Sequence, residues 1–287
     1  MAHRFGGAWT REKLSILRNY LGFYSTALKN QPFSLLYVDA FAGTGKQNPK
    51  LDDAQGDFLA EEDFDGSVAV ALEVEPGFDR YYFNDLNAER VRALEEIRDK
   101  HPAKDIRVSR QNANEFIPAF CADLSSRDRA VMFIDPYSTE LDWETLRHVA
   151  NTEKVDLWLL FPISALLRMT PTEGHSIRPE WSKTITRLLG NDGWQEALYK
   201  PKPLPPMDDM FRDDNAGDQY NRLNVEELTD WVTKRLEELF SHVARPVRLD
   251  NNGRPLFLFY FAVSNPSERA WRLADKVVSA ITKETRR

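Results

Sequence analysis

A doubly wound, mostly parallel α/β sheet is the fold this sequence predicts, and three observations carry the prediction. Short apolar segments alternate with helical ones from Leu35 to Phe161, the rhythm of parallel strands joined by crossover helices. The first apolar segment, Leu35 to Val38, runs through Asp39 into a loop of small residues with Gly43 and Gly45. Glycine lacks a Cβ, so such a loop can turn sharply and let a ligand lie against the main chain. Strand, glycine loop and helix in that order is how open α/β sheets hold nucleotide-like cofactors. Near the C-terminus two further apolar runs, Pro246 to Leu249 and Leu256 to Val263, flank Asn251-Asn252-Gly253. That turn signal predicts an antiparallel pair closing the sheet.

The elements follow in order. Thr10 is the expected N-cap of a helix from Arg11 to about Lys29, with Leu14, Leu17, Leu21, Tyr24 and Leu28 at helical spacing on its core face. After the Leu35 strand, residues 47–65 read as irregular, and helix resumes at Ser67 to Leu72. Tyr81 to Phe83 is a second strand, Ala88 to Lys100 a charged surface helix, Ile106 to Val108 a third strand and Glu115 to Leu124 a helix. Ala130 to Ile134 is apolar throughout, as a strand buried on both faces must be. Trp143 to Ala150 is a helix and Val155 to Phe161 a fifth buried strand. The rhythm breaks over 163–218, where tryptophans precede a proline cluster (Pro201, Pro203, Pro205, Pro206). An inserted helical cap and a loop are expected there. Val225 to Phe240 and Ala270 to Ile281 are helices around the closing pair. No internal repeat and no second domain is apparent, so 1–287 reads as one domain.

Composition excludes several classes. The 287 residues are 42% hydrophobic and include one cysteine, Cys121, so no intramolecular disulfide or cysteine-built metal site can form. The five histidines are scattered without metal-ligand spacing, and no metal is expected. No apolar run has membrane-spanning length and no signal peptide opens the chain, so a cytoplasmic protein is expected. A net charge of −7 argues against an autonomous nucleic-acid binder, but not against an enzyme that grips nucleic acid locally. Seven acidic residues between Asp52 and Asp65 read as a solvated loop or a docking surface for a basic partner.

Residue identity narrows the cofactor. Gly45-Lys46 lacks the first glycine and the hydroxyl residue of a phosphate-binding G-x-x-x-x-G-K-[ST] loop, and G-x-G-x-x-G fails as well. What remains, Asp39-x-Phe41-x-Gly43-x-Gly45, resembles the first motif of class I S-adenosylmethionine (SAM) methyltransferases, in which Asp39 would lie near the cofactor's ammonium. A plain strand-to-helix turn is the alternative. Asp85, just past the second strand, reads either as the acceptor for two ribose hydroxyls or as a helix cap. Asn112, after the third strand, reads as an adenine contact or as a polar loop residue. Asp135-Pro136-Tyr137-Ser138 follows the buried fourth strand and is similar to the D-P-P-Y motif of amino-methyltransferases. In that motif a carboxylate and a backbone carbonyl accept the N–H bonds of an exocyclic amine, and an aromatic ring stacks on the base. Here the tyrosine comes one place early, which puts the stacking of Tyr137 in question. An Asp-Pro loop that merely ends a strand is the alternative.

Taken together these residues resemble the three-Cys-motif partner (TcmP) family. The likeness runs through Trp9-Thr10, Lys13, Leu17 and Tyr20-Leu21, then Tyr37 to Gly43, Gly66-Ser67, Phe133 to Tyr137, Trp143, Asp156 to Pro162 and Arg168, and fades beyond. The resemblance implies a Rossmann-like methyltransferase fold, SAM as cofactor, and a radical-SAM-like partner protein bearing three cysteines. Asp39, Phe41, Gly43, Gly45, Asp85 and Asn112 are then expected to line the SAM site. Asp135, Pro136 and Tyr137 are expected to present the acceptor, an amine of a nucleic-acid base. The competing expectation is a SAM-binding regulatory or interaction module without turnover, working with its partner.

Overall fold

The computed structural model describes residues 8–44, 66–172, 177–201 and 220–285. Gly45, the acidic stretch from Asp52 to Asp65 and most of the proline cluster lie outside them.

The sheet is built from β1 (Ser34–Asp39), β2 (Arg80–Asn84), β3 (Asp105–Ser109), β4 (Asp128–Ile134) and β5 (Val155–Phe161), closed by β8 (His242–Val243), β9 (Val247–Asn251) and β10 (Arg254–Val263). The spatial order is β3-β2-β1-β4-β5-β10-β8, with β9 also on β10. The first five strands are parallel, and β10 runs antiparallel to β5. This is the Rossmann-like methyltransferase sheet.

The helices are α1 (Ala8–Leu28), α2 (Ser67–Glu73), α3 (Ala88–Lys100), α4 (Ala113–Asp123), α5 (Trp143–Ala150), α6 (Ile163–Met169), α7 (Pro179–Leu189), α8 (Trp194–Leu198), α9 (Val225–Glu237) and α10 (Glu268–Thr285). Side chains alternate across each strand, and the alternation sorts them into two cores. Leu36 and Val38 of β1, with Ala130, Met132 and Ile134 of β4, meet α4, α5, α6, α7 and α9. Leu35, Tyr37, Val131 and Phe133 point the other way, onto α1, α2 and α10. Burial on both faces explains why β4 and β5 read as unbroken apolar runs.

Three expectations need correction. Helix α1 already includes Ala8 to Thr10, so Thr10 is not its N-cap; Trp9 and Thr10 are instead buried in its first described turn. The 163–218 region is not only helical. Besides α6, α7 and α8 it holds β6 (Tyr199–Pro201), which pairs antiparallel with β7 (Tyr220–Arg222) just beyond it. The closing pair also has a third piece. Strand β10 pairs with β9 through Arg254 to Phe259 and with β8 through Ala262 and Val263, on the side away from β5. Strands β8 and β9 are thus one edge interrupted around Pro246, which has no N–H to give the ladder.

Gly190 ends α7 in the left-handed region (φ 61°), and a Cβ there would lie 2.3 Å from Cδ1 of the buried Trp143. Gly190→Ala should therefore cost about 1–2 kcal/mol for the backbone and about 1–3 kcal/mol for overpacking. Urea denaturation measures it, and a loss under about 0.5 kcal/mol would mean that α7 is not docked on α5 as described.

Candidate functional site

The carboxyl ends of β1, β2 and β4 define a crevice where the strand order reverses, with β1 followed on one side by β2 and on the other by β4. Ligands of open α/β sheets bind at such a switch point. The loop after β1 is stitched to both neighbours: Ala42 N–H donates to the Asn84 carbonyl (2.9 Å) and Ala40 N–H to the Phe133 carbonyl (3.2 Å). Asn84 adds a second layer. Its Nδ2 donates to the Ala40 and Gln111 carbonyls, and its Oδ1 accepts from Ser109 and from Gln111 N–H.

Asp39 closes β1 and is fully buried. Its Oδ2 accepts from Ser67 Oγ (2.5 Å) and its Oδ1 from Phe41 N–H (3.3 Å). Burial pushes its carboxyl up to about 7, with Asp135 adding to the rise and Lys13 opposing it. With these two bonds Asp39 braces the loop from beneath. Because its native pKa is above the ordinary 3.8, its contribution to stability is complete below about pH 4 and is lost as pH rises through about 7. Thermal melts of Asp39→Asn between pH 4 and 8 should lack that part of the parent's decline. Asp156, pushed up to about 6 by burial and hydrogen-bonded by Tyr20, acts in the same direction and remains. Parallel slopes in parent and variant would mean that Asp39 is ionised throughout.

Gly43 takes a left-handed conformation (φ 63°), and its N–H donates to Asp85 Oδ2 (3.1 Å). Asp85 is 3% exposed. Its Oδ1 accepts from Asn87 N–H (2.8 Å), and Arg90 lies 3.7 Å from Oδ2. The cap of α3 is not Asp85 but Asn87, which accepts from Glu89 and Arg90 N–H. Asp85 is thus the tie between the glycine loop and the β2 loop. Asn112 is a helix cap: its side-chain oxygen accepts from Asn114 N–H (2.9 Å) at the start of α4.

Asp135 lies two residues past Phe133, which is in register with Asp39. Its Oδ2 accepts from Lys13 Nζ at 2.7 Å. Tyr137, 38% exposed, turns toward the glycine loop. Its ring meets Phe41 edge-on at 6.3 Å, the Arg90 guanidinium sits 4.4 Å from its centroid, and its hydroxyl would lie 3.8 Å from a Cβ on Gly43. The displaced tyrosine of the motif therefore lies against the glycine loop. Ser138 follows in a left-handed conformation (φ 55°), backbone strain that must be held in place. Helix α7 and Asn114 hold it: Arg187 donates to the Thr139 carbonyl and to Asp142 Oδ1, and Asn114 Nδ2 donates to the Glu140 carbonyl. Pro136 is buried and lines a small apolar pocket with Trp143, Leu159, Phe161 and Pro162.

Phe41, Gly43, Asp85 and Tyr137 thus meet at the switch point, with Asp39 and Asp135 at the neighbouring strand ends and Pro136 turned into the apolar pocket. Sequence reading missed Lys13 and Arg90 as members. Lys13 carried a signal: it lies in line with Trp9 and Leu17 on the apolar stripe of α1, where an ammonium needs a buried partner.

Strand order and crevice place the chain in the class of Rossmann-like methyltransferase folds. No family model and no curated protein matches it. Among solved structures it is similar to protein LPL1258 from Legionella pneumophila, of the family model DUF519, at 12% identity and TM-score 0.50, covering 97% of this chain and 93% of that one. At that identity the likeness concerns the fold alone. It is also similar to magnesium protoporphyrin IX methyltransferase from Synechocystis, solved with bound SAM (12% identity, TM-score 0.34, 86% and 77% covered). A SAM-dependent methyltransferase from Clostridium acetobutylicum is a third (11% identity, TM-score 0.32, 86% and 90% covered).

Proposed function

We propose that this chain is a SAM-dependent methyltransferase that modifies an amine of a nucleic-acid base. One observation carries the reading: the Gly43 loop, Asp85 and the Phe41 and Tyr137 rings meet at the switch point, with Asp135 at the neighbouring strand end. Lys13 and Arg90, the cations there, are set against Asp135 and Asp85. With both of these cations set against carboxylates, they leave little positive charge there to hold a polyphosphate. The Gly43 main chain, Asp85, Phe41 and Tyr137 would hold SAM, with Asp39 fixing the loop under it. Bound there, SAM supplies a methyl group that passes to the acceptor nitrogen while the C–S electron pair stays on sulfur, leaving S-adenosylhomocysteine and releasing the amine's extra proton to solvent.

The chain's own part is positioning. Asp135 accepts an N–H bond from the amine and aims its lone pair, and Pro136 fixes the strand end from which Asp135 projects. Such alignment is the main demand of an in-line displacement. The likeness to three-Cys-motif partner proteins adds a partner bearing three cysteines to the proposal. Incubation with methyl-labelled SAM and separate DNA, RNA and protein pools tests the reading. Label in a nucleic-acid pool is expected. Label only in protein would move the acceptor, and SAM binding without transfer to any pool would favour a regulatory module.

A further inference from the structure

We propose that Lys13, on the N-terminal helix, is the positioning residue that makes Asp135 a one-sided hydrogen-bond acceptor for the incoming amine. The inference rests on the methyltransferase reading and extends it to a residue on a different element.

The geometry is as follows. Lys13 is 5% exposed, yet it projects from the buried stripe of α1. Its Nζ lies 5.2 Å from the centroid of the Trp9 ring and 5.9 Å from that of Phe133. Two aromatic rings and a helix face leave the ammonium one strong hydrogen-bond acceptor that the structure shows, Asp135 Oδ2 at 2.7 Å. Asp135 itself is partly open, its side chain 28% exposed against 6% for that of Lys13. The pair is therefore asymmetric, with its cation sealed inside and its anion at the crevice wall. A charge held that deep is retained only with its partner in place.

The asymmetry does chemical work. A free carboxylate rotates about its Cβ–Cγ bond and offers either oxygen. Lys13 claims Oδ2, so Oδ1 is left for the amine's N–H, and the carboxylate plane is fixed with respect to the crevice. In the transfer a nitrogen–carbon bond forms, the carbon–sulfur bond breaks with its electron pair staying on sulfur, and the proton shed by the amine goes to solvent. Asp135 holds one N–H throughout and Lys13 keeps its proton, so neither changes its charge.

Four full-length proteins test this: Lys13→Met, Lys13→Arg, Asp135→Asn and Lys13→Met with Asp135→Asn. Each is measured for melting temperature, for SAM affinity by calorimetry, and for label transfer from methyl-labelled SAM to bulk bacterial RNA and DNA. Lys13→Met should keep SAM affinity within a few-fold and lose transfer by about 100-fold, the scale of a misplaced reacting group. Lys13→Arg, which can still donate to Oδ2, should recover a measurable part of that loss, as a packing role alone would not require. In the Asp135→Asn background Lys13→Met should cost no further transfer, and the double variant should melt no lower than the worse single one. Transfer by Lys13→Met at the parent rate overturns the inference and leaves the methyltransferase reading standing. Additive losses overturn it as well. A parent that neither binds SAM nor transfers label overturns the reading and the inference with it. If Lys13→Met does not fold, Lys13→Arg decides: transfer at the level of Asp135→Asn, with SAM affinity and melting temperature kept, would contradict the proposed role.

Discussion

Asp135→Ala should reduce methyl transfer by about 100-fold or more while SAM affinity stays within a few-fold of the parent. The expectation follows from position. Asp135 stands after β4, across the switch point from the glycine loop, and its hydrogen bond is to Lys13 rather than to that loop. Asp135→Asn should be no milder, and the geometry says why. Lys13 would draw the amide oxygen to itself, so the NH2 group would face the crevice and oppose the acceptor's own N–H donor. Asp135→Ala also strands the Lys13 ammonium, which should lower stability toward the small end of about 3–5 kcal/mol, since Asp135 is partly solvated. The assay therefore belongs well below the variant's melting temperature. Equal transfer by parent and Asp135→Ala would put the acceptor site elsewhere.

Asp85→Ala should weaken SAM binding by roughly 10- to 150-fold, the equivalent of about 1.5–3 kcal/mol in charge-assisted hydrogen bonds. Asp85 already accepts from Gly43 and Asn87 N–H, so the variant should also lose stability as the glycine loop is released from the β2 loop. Asp85→Asn separates the two effects. It can keep one backbone contact and so hold much of the fold, but it lacks the charge that grips ribose hydroxyls. Calorimetry and melting on the same samples decide: lowered stability with unchanged SAM affinity in both variants would reduce Asp85 to a brace.

Much of the fold was legible because its signals are local. The ends of α3, α5 and β5 fall where periodicity and turn residues put them, at Ala88–Lys100, Trp143–Ala150 and Val155–Phe161. Strand β8 escaped because two residues, His242 and Val243, carry no period. The β6–β7 pair escaped because three-residue strands owe their pairing to each other rather than to their own sequence. A candidate site could be named in outline from the sequence, through Asp39, Phe41, Gly43, Asp85 and Asp135-Pro136-Tyr137. Its wiring could not be read there. Lys13 meets Asp135 across 122 residues, and only tertiary structure shows that α1 reaches the end of β4. Asn112 read as a base contact because a polar residue after β3 looks the same whether it faces a ligand or caps α4. The bond from Ser67 to Asp39 was illegible because the two lie 28 residues apart.

No helix among the described residues is long and apolar enough to cross a membrane. Calorimetric titration with SAM, and with ATP as the control, bears most directly on the central claim that the crevice beside Gly43 holds a cationic methyl donor. The expected result is saturable binding of SAM and of S-adenosylhomocysteine at one site per chain, weakened by Asp85→Ala, with no heat from ATP. Saturable binding of ATP with none of SAM would contradict it.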